Sequence, residues 1–189
     1  MQTIKLVIVG DGGVGKTSLL ATYASGNFPT GTTYIPSSYD RVMVNGGRTQ
    51  LLLWDTAGQD DYDRLRPLVY PQTDLFLVAF SIASAESLER VRSKWLPEVL
   101  FHVPTASVII VGTKTDLRED ADTVDRLAAD CLAPITPEQG KEVALEFNVD
   151  YMECSARSKT GLNDIFDEAV RLVLAKQPNQ PTQQRCTLL

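Results

Sequence analysis

Val9-Gly10-Asp11-Gly12-Gly13-Val14-Gly15-Lys16-Thr17-Ser18 lies between an apolar run, Ile4 to Val9, and Leu19-Leu20-Ala21, which reads as the opening of a helix. The stretch fits glycine, four residues, then Gly-Lys-Thr, with Gly10, Gly15, Lys16 and Thr17 at the fixed points. Small residues at Gly12, Gly13 and Gly15 let successive backbone N–H groups turn inward around phosphate oxygens, and the helix N-terminus adds partial positive charge. Lys16 brings a mobile ammonium to the outer phosphates, and the Thr17 hydroxyl is placed to ligate magnesium. A glycine-rich turn alone would merely connect two elements. The complete strand–loop–helix order marks a nucleotide-phosphate site.

Outward from that loop, apolar β-rich runs alternate with helical patterns, the mark of a mostly parallel sheet covered on both faces. The first helix is predicted over residues 16–25. An irregular Thr-, Pro- and Ser-rich stretch follows, from Phe28 to Tyr39. Arg41–Val44 and Thr49–Trp54 flank Asn45-Gly46-Gly47, a hairpin signal that makes the pair antiparallel. Leu75–Phe80 and Val108–Val111 read as strands buried on both faces. Between them, Ser84 to Leu100 reads as a helix capped by Ser84, with Pro97 a bend or end signal. Thr136-Pro137-Glu138-Gln139 is a capping-box helix start, and Asp150–Cys154 is the last strand. The apolar face of the closing helix, Ile165 to Leu174, suits core packing better than a partner groove. Arg118–Asp130 is acidic and poor in apolar residues, which fits a solvated surface helix or a projection that docks a partner.

With 189 residues, 43% apolar and 22% charged, the chain has the composition of one globular domain. A net charge of −6 argues against general affinity for nucleic acid or anionic membrane. Cys131, Cys154 and Cys186 show neither a disulfide framework nor metal-ligand spacing, which points to a reducing cytosol. No secretory signal or spanning segment is evident.

Two further motifs stand at strand ends, where open α/β sheets bind ligands. In Asp55-Thr56-Ala57-Gly58-Gln59, Asp55 can hold magnesium through a water, the Gly58 N–H can approach a terminal phosphate, and Gln59 can orient an attacking water. In Thr113-Lys114-Thr115-Asp116, Asp116 can accept from the N1–H and N2–H₂ edge of guanine, which adenine lacks, while the Lys114 stem covers the base. Cys154-Ser155-Ala156-Arg157 offers the Ala156 N–H to the guanine carbonyl. Phe28 suits either the base edge or the core behind the first helix.

Together these residues resemble the small GTPases of the Ras superfamily, and among them the Rho family, nearest its Rac-like members. Trp54-Asp55-Thr56-Ala57-Gly58-Gln59-Asp60-Asp61-Tyr62-Asp63-Arg64-Leu65-Arg66-Pro67 is similar to that family's third strand and switch II almost residue for residue. The Thr-Lys-x-Asp form, the acidic extra helix and the terminal Cys186-Thr187-Leu188-Leu189 are similar too. The resemblance implies an α/β P-loop NTPase fold, six strands mostly parallel with one antiparallel edge strand and helices on both faces. It implies a GTPase domain over 1–176, with its insert helix near 118–130, and a flexible tail over 177–189. It further implies a GTP/GDP switch with magnesium, signalling to the actin cytoskeleton or cell polarity. Exchange factors, activating proteins that insert an arginine, a dissociation inhibitor and effectors would be its partners. Gln59 and Lys16 would be catalytic. Gly12, Gly13, Val14, Gly15, Lys16, Thr17, Ser18, Phe28, Gly58, Thr113, Lys114, Asp116, Ser155, Ala156 and Arg157 would hold the nucleotide.

Switch I departs from the family's Tyr-x-Pro-Thr-Val-Phe-Asp-Asn-Tyr. Here it reads Thr32-Thr33-Tyr34-Ile35-Pro36-Ser37-Ser38-Tyr39-Asp40-Arg41. Counting from Phe28 puts Ile35, which ligates no metal, at the magnesium threonine's place. Counting back from Asp55 puts Thr33 there, and matching Tyr-x-Pro puts Ser37 there with four residues removed, an even number that preserves strand facing. The metal set is therefore Thr17 and Asp55 with Thr33 or Ser37. The rewritten segment leaves a GTP-loaded scaffold with impaired cycling as the competing expectation. Cys186 fits a geranylgeranylation signal, but only Lys176 and Arg185 stand near it. Each basic residue near an anionic leaflet is worth about 1 kcal/mol, so attachment to the cytoplasmic face of a membrane should be reversible.

Overall fold

The computed structural model describes residues 2–31, 38–44 and 48–176, with side chains from residues 3–31 and 49–176. Thr33, Ser37, the Asn45-Gly46-Gly47 turn and Cys186 lie outside the described residues. Six strands form one sheet: β1 (Gln2–Gly10), β2 (Ser38–Val44), β3 (Arg48–Trp54), β4 (Leu75–Ser81), β5 (Ser107–Thr113) and β6 (Asp150–Glu153). Their order is β2-β3-β1-β4-β5-β6. Five strands run parallel. At the edge, β2 joins β3 antiparallel, with Val44 opposite Arg48.

Successive strand residues point to opposite faces, and both faces are covered. Ile4, Leu6 and Ile8 of β1 pack with Leu77 and Ile109 under α1 (Lys16–Ser25) and α6 (Leu162–Lys176). Val7 and Val9 turn the other way, with Val78 and Ile110, against Trp95, Leu96 and Val99. The closing-helix residues Ile165, Phe166, Ala169, Val170 and Val173 are buried, so that face is core. Each of the four larger side chains, Ala169 aside, contributes about 1.5–3 kcal/mol relative to exposure.

The helix after β4 runs through the span read from the sequence and is irregular just before Pro97. It comprises α2 (Ala85–Arg90), a π-helical turn (Val91–Trp95) and α3 (Leu96–His102). Pro97 has no N–H to donate to the preceding turn. The wider turn before it, in which the Leu96 N–H reaches the Val91 carbonyl, lets the helix run on past the proline. The acidic segment contains α4 (Ala121–Ala129), capped by Asp120, whose carboxylate accepts from the Thr123 N–H at 3.0 Å. Arg118 ties its base to Glu153 of β6 at 2.8 Å. Next, α5 (Pro137–Phe147) begins in the expected capping box of Thr136 and Gln139. No described helix is long and apolar enough to cross a membrane.

Candidate functional site: a phosphate loop and a base cavity

The loop between β1 and α1 opens where the carboxyl ends of β1, β3, β4 and β5 converge. Gly15 starts α1 at φ 101°, a backbone state that side-chain-bearing residues rarely adopt. An added Cβ at Gly12 or Gly13 would meet nothing within 4 Å, so the loop is an open cradle rather than a packed turn. Lys16 is buried and donates to the carbonyls of Gly10 at 2.8 Å and Asp11 at 2.7 Å. Burial lowers its pKa to about 8, against the opposing pull of Asp55 and Asp11.

Thr17 Oγ1 donates to Asp55 Oδ2 at 2.6 Å, bringing the first helical turn and the end of β3 together. The other oxygen of Asp55 is buried without a hydrogen-bond partner. Burial raises the Asp55 pKa, opposed by the Thr17 hydrogen bond and the Lys16 charge. A hydroxyl beside an orphaned carboxylate oxygen suits magnesium, a hard ion that takes one or two protein ligands plus waters and phosphate oxygens. No cluster of three His, Cys, Asp or Glu able to form an all-protein metal cage occurs among the described residues.

Behind the loop, the Thr113 hydroxyl sits 2.5 Å from the Val14 carbonyl and 2.8 Å from that of Phe80, fastening the loop to β4 and β5. Lys114 takes a left-handed conformation, φ 59°, which sends its ammonium to the Gly13 carbonyl at 2.6 Å. A cavity of about 170 Å³ lies beyond, walled by Leu19, Phe28, Leu117 and Cys154, with Asp116, Ala156 and Arg157 on its rim. Ser18 lines it as well. Phe28 is 39% exposed and belongs to this wall, not to the core behind α1. Ser155 Oγ is buried and donates to Asp116 Oδ1 at 2.5 Å, which aims that carboxylate. The sequence does not mark Leu19 and Leu117 as site residues, because an apolar wall reads like any core residue, and Cys154 stands in it only as the start of its motif.

A second, polar cavity of about 690 Å³ lies on the other side of the loop, where Gly12, Gly58 and Gln59 meet Arg90 and Lys114. An added Cβ at Gly58 would lie 2.3 Å from the Gly10 carbonyl oxygen and 2.6 Å from the Gly12 nitrogen. Only glycine permits this approach of switch II to the loop. Gly58→Ala is therefore expected to push the two apart and slow single-turnover hydrolysis by about 10²-fold. Nucleotide affinity should fall much less. An unchanged rate in rapid-quench measurements would contradict this.

A family model described as the Ras family matches residues 5–175. The chain belongs to the Ras family. Small-GTPase switching is the activity of that family, and its match covers every residue that lines the two cavities. In this Ras-family chain the loop of residues 10–17, the Asp55–Gln59 stretch and Asp116 converge on one edge of the sheet. Thr33 and Ser37, the two candidates for a switch I hydroxyl, lie outside the described residues. Arg66, Arg90 and Lys94, which hold switch II in place, were not singled out by sequence. The available signal was the i, i+4 spacing of Arg90 and Lys94 on one helix face, matched to the acids Asp60 and Asp63.

Proposed function

We propose that this Ras-family chain is a Rho-type, Rac-like GTP/GDP switch, and that its substrate is chosen by Asp116. The observation that carries the reading is the Asp116 carboxylate, held by Ser155 at the mouth of an apolar cavity that adjoins the phosphate loop. The switch II sequence, the Thr-Lys-x-Asp form and the helix α4 support the Rho assignment. Magnesium, bound by Thr17 and Asp55 with a switch I hydroxyl from Thr33 or Ser37, would neutralise developing charge on the phosphates.

The chain's own groups divide the remaining work. The Gly12–Lys16 backbone N–H groups and the Lys16 ammonium bind and orient the outer phosphates. The Gly58 N–H is set against the terminal phosphate by its contact with the loop. Gln59 orients the attacking water in line with the bond to be broken. Its neighbours fix its backbone: the Arg66 guanidinium donates to the Gln59 carbonyl at 3.2 Å. Phe28 and the Lys114 stem flank the base, and Ala156 donates to its carbonyl.

A displacement titration with a fluorescent GDP analogue, competed by GTP and by ATP, tests the base choice. Guanosine triphosphate should win by a factor on the order of 10⁴. Equal competition sinks the proposal. A Rho-type activating protein should raise single-turnover hydrolysis by about 10³–10⁵-fold. Absence of stimulation would favour the non-cycling scaffold instead.

By the same resemblance, Cys186 carries a geranylgeranyl group and the protein exchanges between cytosol and the cytoplasmic face of a membrane, the plasma membrane in a Rac-like member. Exchange factors, activating proteins, a dissociation inhibitor and effectors are proposed on that footing. Cys186→Ser should abolish membrane recovery, and extra lysines before Cys186 should increase it. Fractionation showing no change in either variant would overturn the attachment.

A further inference from the structure

Arg90, the last residue of α2, lies on the wall of the polar cavity that holds Gly12, Gly58 and Gln59. Its Nε is 3.0 Å from Asp11 Oδ1, within the phosphate loop. Its Nη2 is 2.6 Å from Asp60 Oδ1, the residue after Gln59. Trp95 Nε1 donates to the same Asp11 oxygen at 2.8 Å, so Asp11 is turned onto the helix and held there. Lys94 adds bonds of 2.6 Å to Asp60 and 2.8 Å to Asp63. One planar guanidinium therefore joins the phosphate loop to switch II, immediately beside the residue that orients water. Without it, Asp60 keeps Lys94 and Asp11 keeps Trp95, but nothing charged among the described residues joins the two carboxylates across the gap. Hydrogen bonds from Lys94 and Arg90 to Asp60 hold its pKa below the usual carboxylate range.

We propose that Arg90 is a positioning residue for hydrolysis: by bridging Asp11 and Asp60 it sets the distance between Gln59 and the phosphate loop. The proposal rests on the GTPase reading above. Arg66 also holds Gln59 through its carbonyl, and Lys94 still holds Asp60, so loss of Arg90 removes the link to the phosphate loop that passes through Asp11 and leaves switch II otherwise braced. A lysine offers one point charge where the fork spans two acceptors, and recovers the bridge only in part. Misplacement of a reacting group by about 1 Å costs up to about 10²-fold in rate.

The test uses the full chain as wild type, Arg90→Ala, Arg90→Lys, Asp60→Asn and the Arg90→Ala/Asp60→Asn double variant. Intrinsic single-turnover GTP hydrolysis is measured beside GDP affinity. Arg90→Ala and Asp60→Asn should each slow hydrolysis by about 10- to 100-fold, with GDP affinity held within about twofold. The double variant should be no slower than the slower of the two singles, because either change already breaks the Asp11–Arg90–Asp60 bridge and Asp60→Asn additionally loses Lys94, and Arg90→Lys should fall between wild type and Arg90→Ala. Additive losses, or an unaltered rate in Arg90→Ala, would overturn the proposal. So would faster hydrolysis in Asp60→Asn with slower hydrolysis in Arg90→Ala, since a guanidinium freed from Asp60 would then be acting on the phosphate itself. Amide hydrogen exchange of residues 58–63, measured on nucleotide-free and GDP-loaded protein, gives a readout independent of turnover. Exchange should speed up in Arg90→Ala, and unchanged exchange overturns the bridge. A wild-type chain that binds no guanine nucleotide would instead sink the GTPase reading.

Discussion

Asp116→Asn should lower the preference for GTP over ATP by about 10⁴-fold, almost wholly through weaker GTP binding. A carboxylate is an acceptor at both oxygens, and guanine presents two donors side by side, N1–H and N2–H₂. Asp116 Oδ1 already accepts from the buried Ser155 hydroxyl at 2.5 Å, which settles which way the group faces. An Asn that keeps this bond with its oxygen turns its NH₂ toward the base, where donor meets donor. The surrounding wall of Leu19, Phe28 and Leu117 offers no substitute acceptor. A buried donor left without a partner costs its desolvation in full, and here two are left. Adenine, which never used the carboxylate, should bind about as before. Ser155→Ala provides the graded companion, since it frees the carboxylate to turn without removing it. Its loss should be nearer 10-fold, the scale of one net hydrogen bond. Competition of GTP and ATP against a fluorescent GDP analogue measures both. A GTP-to-ATP ratio that stays at the wild-type value in Asp116→Asn would remove Asp116 from base selection.

The parts of this site that sequence alone revealed are those whose chemistry is local. Gly15, Lys16 and Thr17 must be consecutive to turn a strand into a phosphate-binding helix, and α1 spans Lys16–Ser25 as that spacing requires. Continuous apolar runs such as Leu75–Phe80 have only one comfortable place, between two helical layers, and β4 is buried at every position. Pro97 marks a real irregularity, but its form is not legible, because a proline's effect depends on the turn before it. The π turn at Val91–Trp95 relieves what an α-turn could not. The ionic bridge at switch II was invisible for a different reason. Asp60 and Arg90 are thirty residues apart, and nothing in either segment says that β4 will carry the following helix back over the loop. Likewise nothing in the loop's sequence assigns Asp11 a partner, whereas Arg90 and Trp95 hold it against the helix.

Arg66 makes the same point with the largest energetic consequence. In the sequence it is one more charge in Asp61-Tyr62-Asp63-Arg64-Leu65-Arg66, and surface exposure would be its default. Its side chain is instead 1% exposed. Nη1 donates to both oxygens of Glu98 at 3.1 and 3.0 Å, Nη2 to Asp63 at 2.7 Å and to the Gln59 carbonyl at 3.2 Å, and Nε to the Ala57 carbonyl at 3.1 Å. The guanidinium also lies over the Trp95 ring, 4.4 Å from its centroid. Tyr70 closes the cluster by donating to Glu98 at 2.5 Å, and burial, with Glu98 beside it, pushes the Tyr70 pKa well above its ordinary value. Arg66→Ala leaves a largely buried Glu98 facing no cation and two backbone carbonyls with no donor from Arg66. The expected loss in urea unfolding of GDP-loaded protein is about 3–5 kcal/mol, with GDP in fixed excess so that ligand linkage is constant. Arg66→Lys should recover little of it, because a single ammonium reaches one of the acceptors that the fork spans. Removing both charges, as in Arg66→Met with Glu98→Leu, should cost less than Arg66→Ala alone, since the penalty lies in the stranded carboxylate rather than in the missing attraction. Asp63→Asn, at a position 43% exposed, should fall within about 1 kcal/mol of wild type. If Arg66→Ala were as mild as Asp63→Asn, the buried cluster would hold nothing together, and Gln59 would owe its place to Gly58 and Arg90 alone.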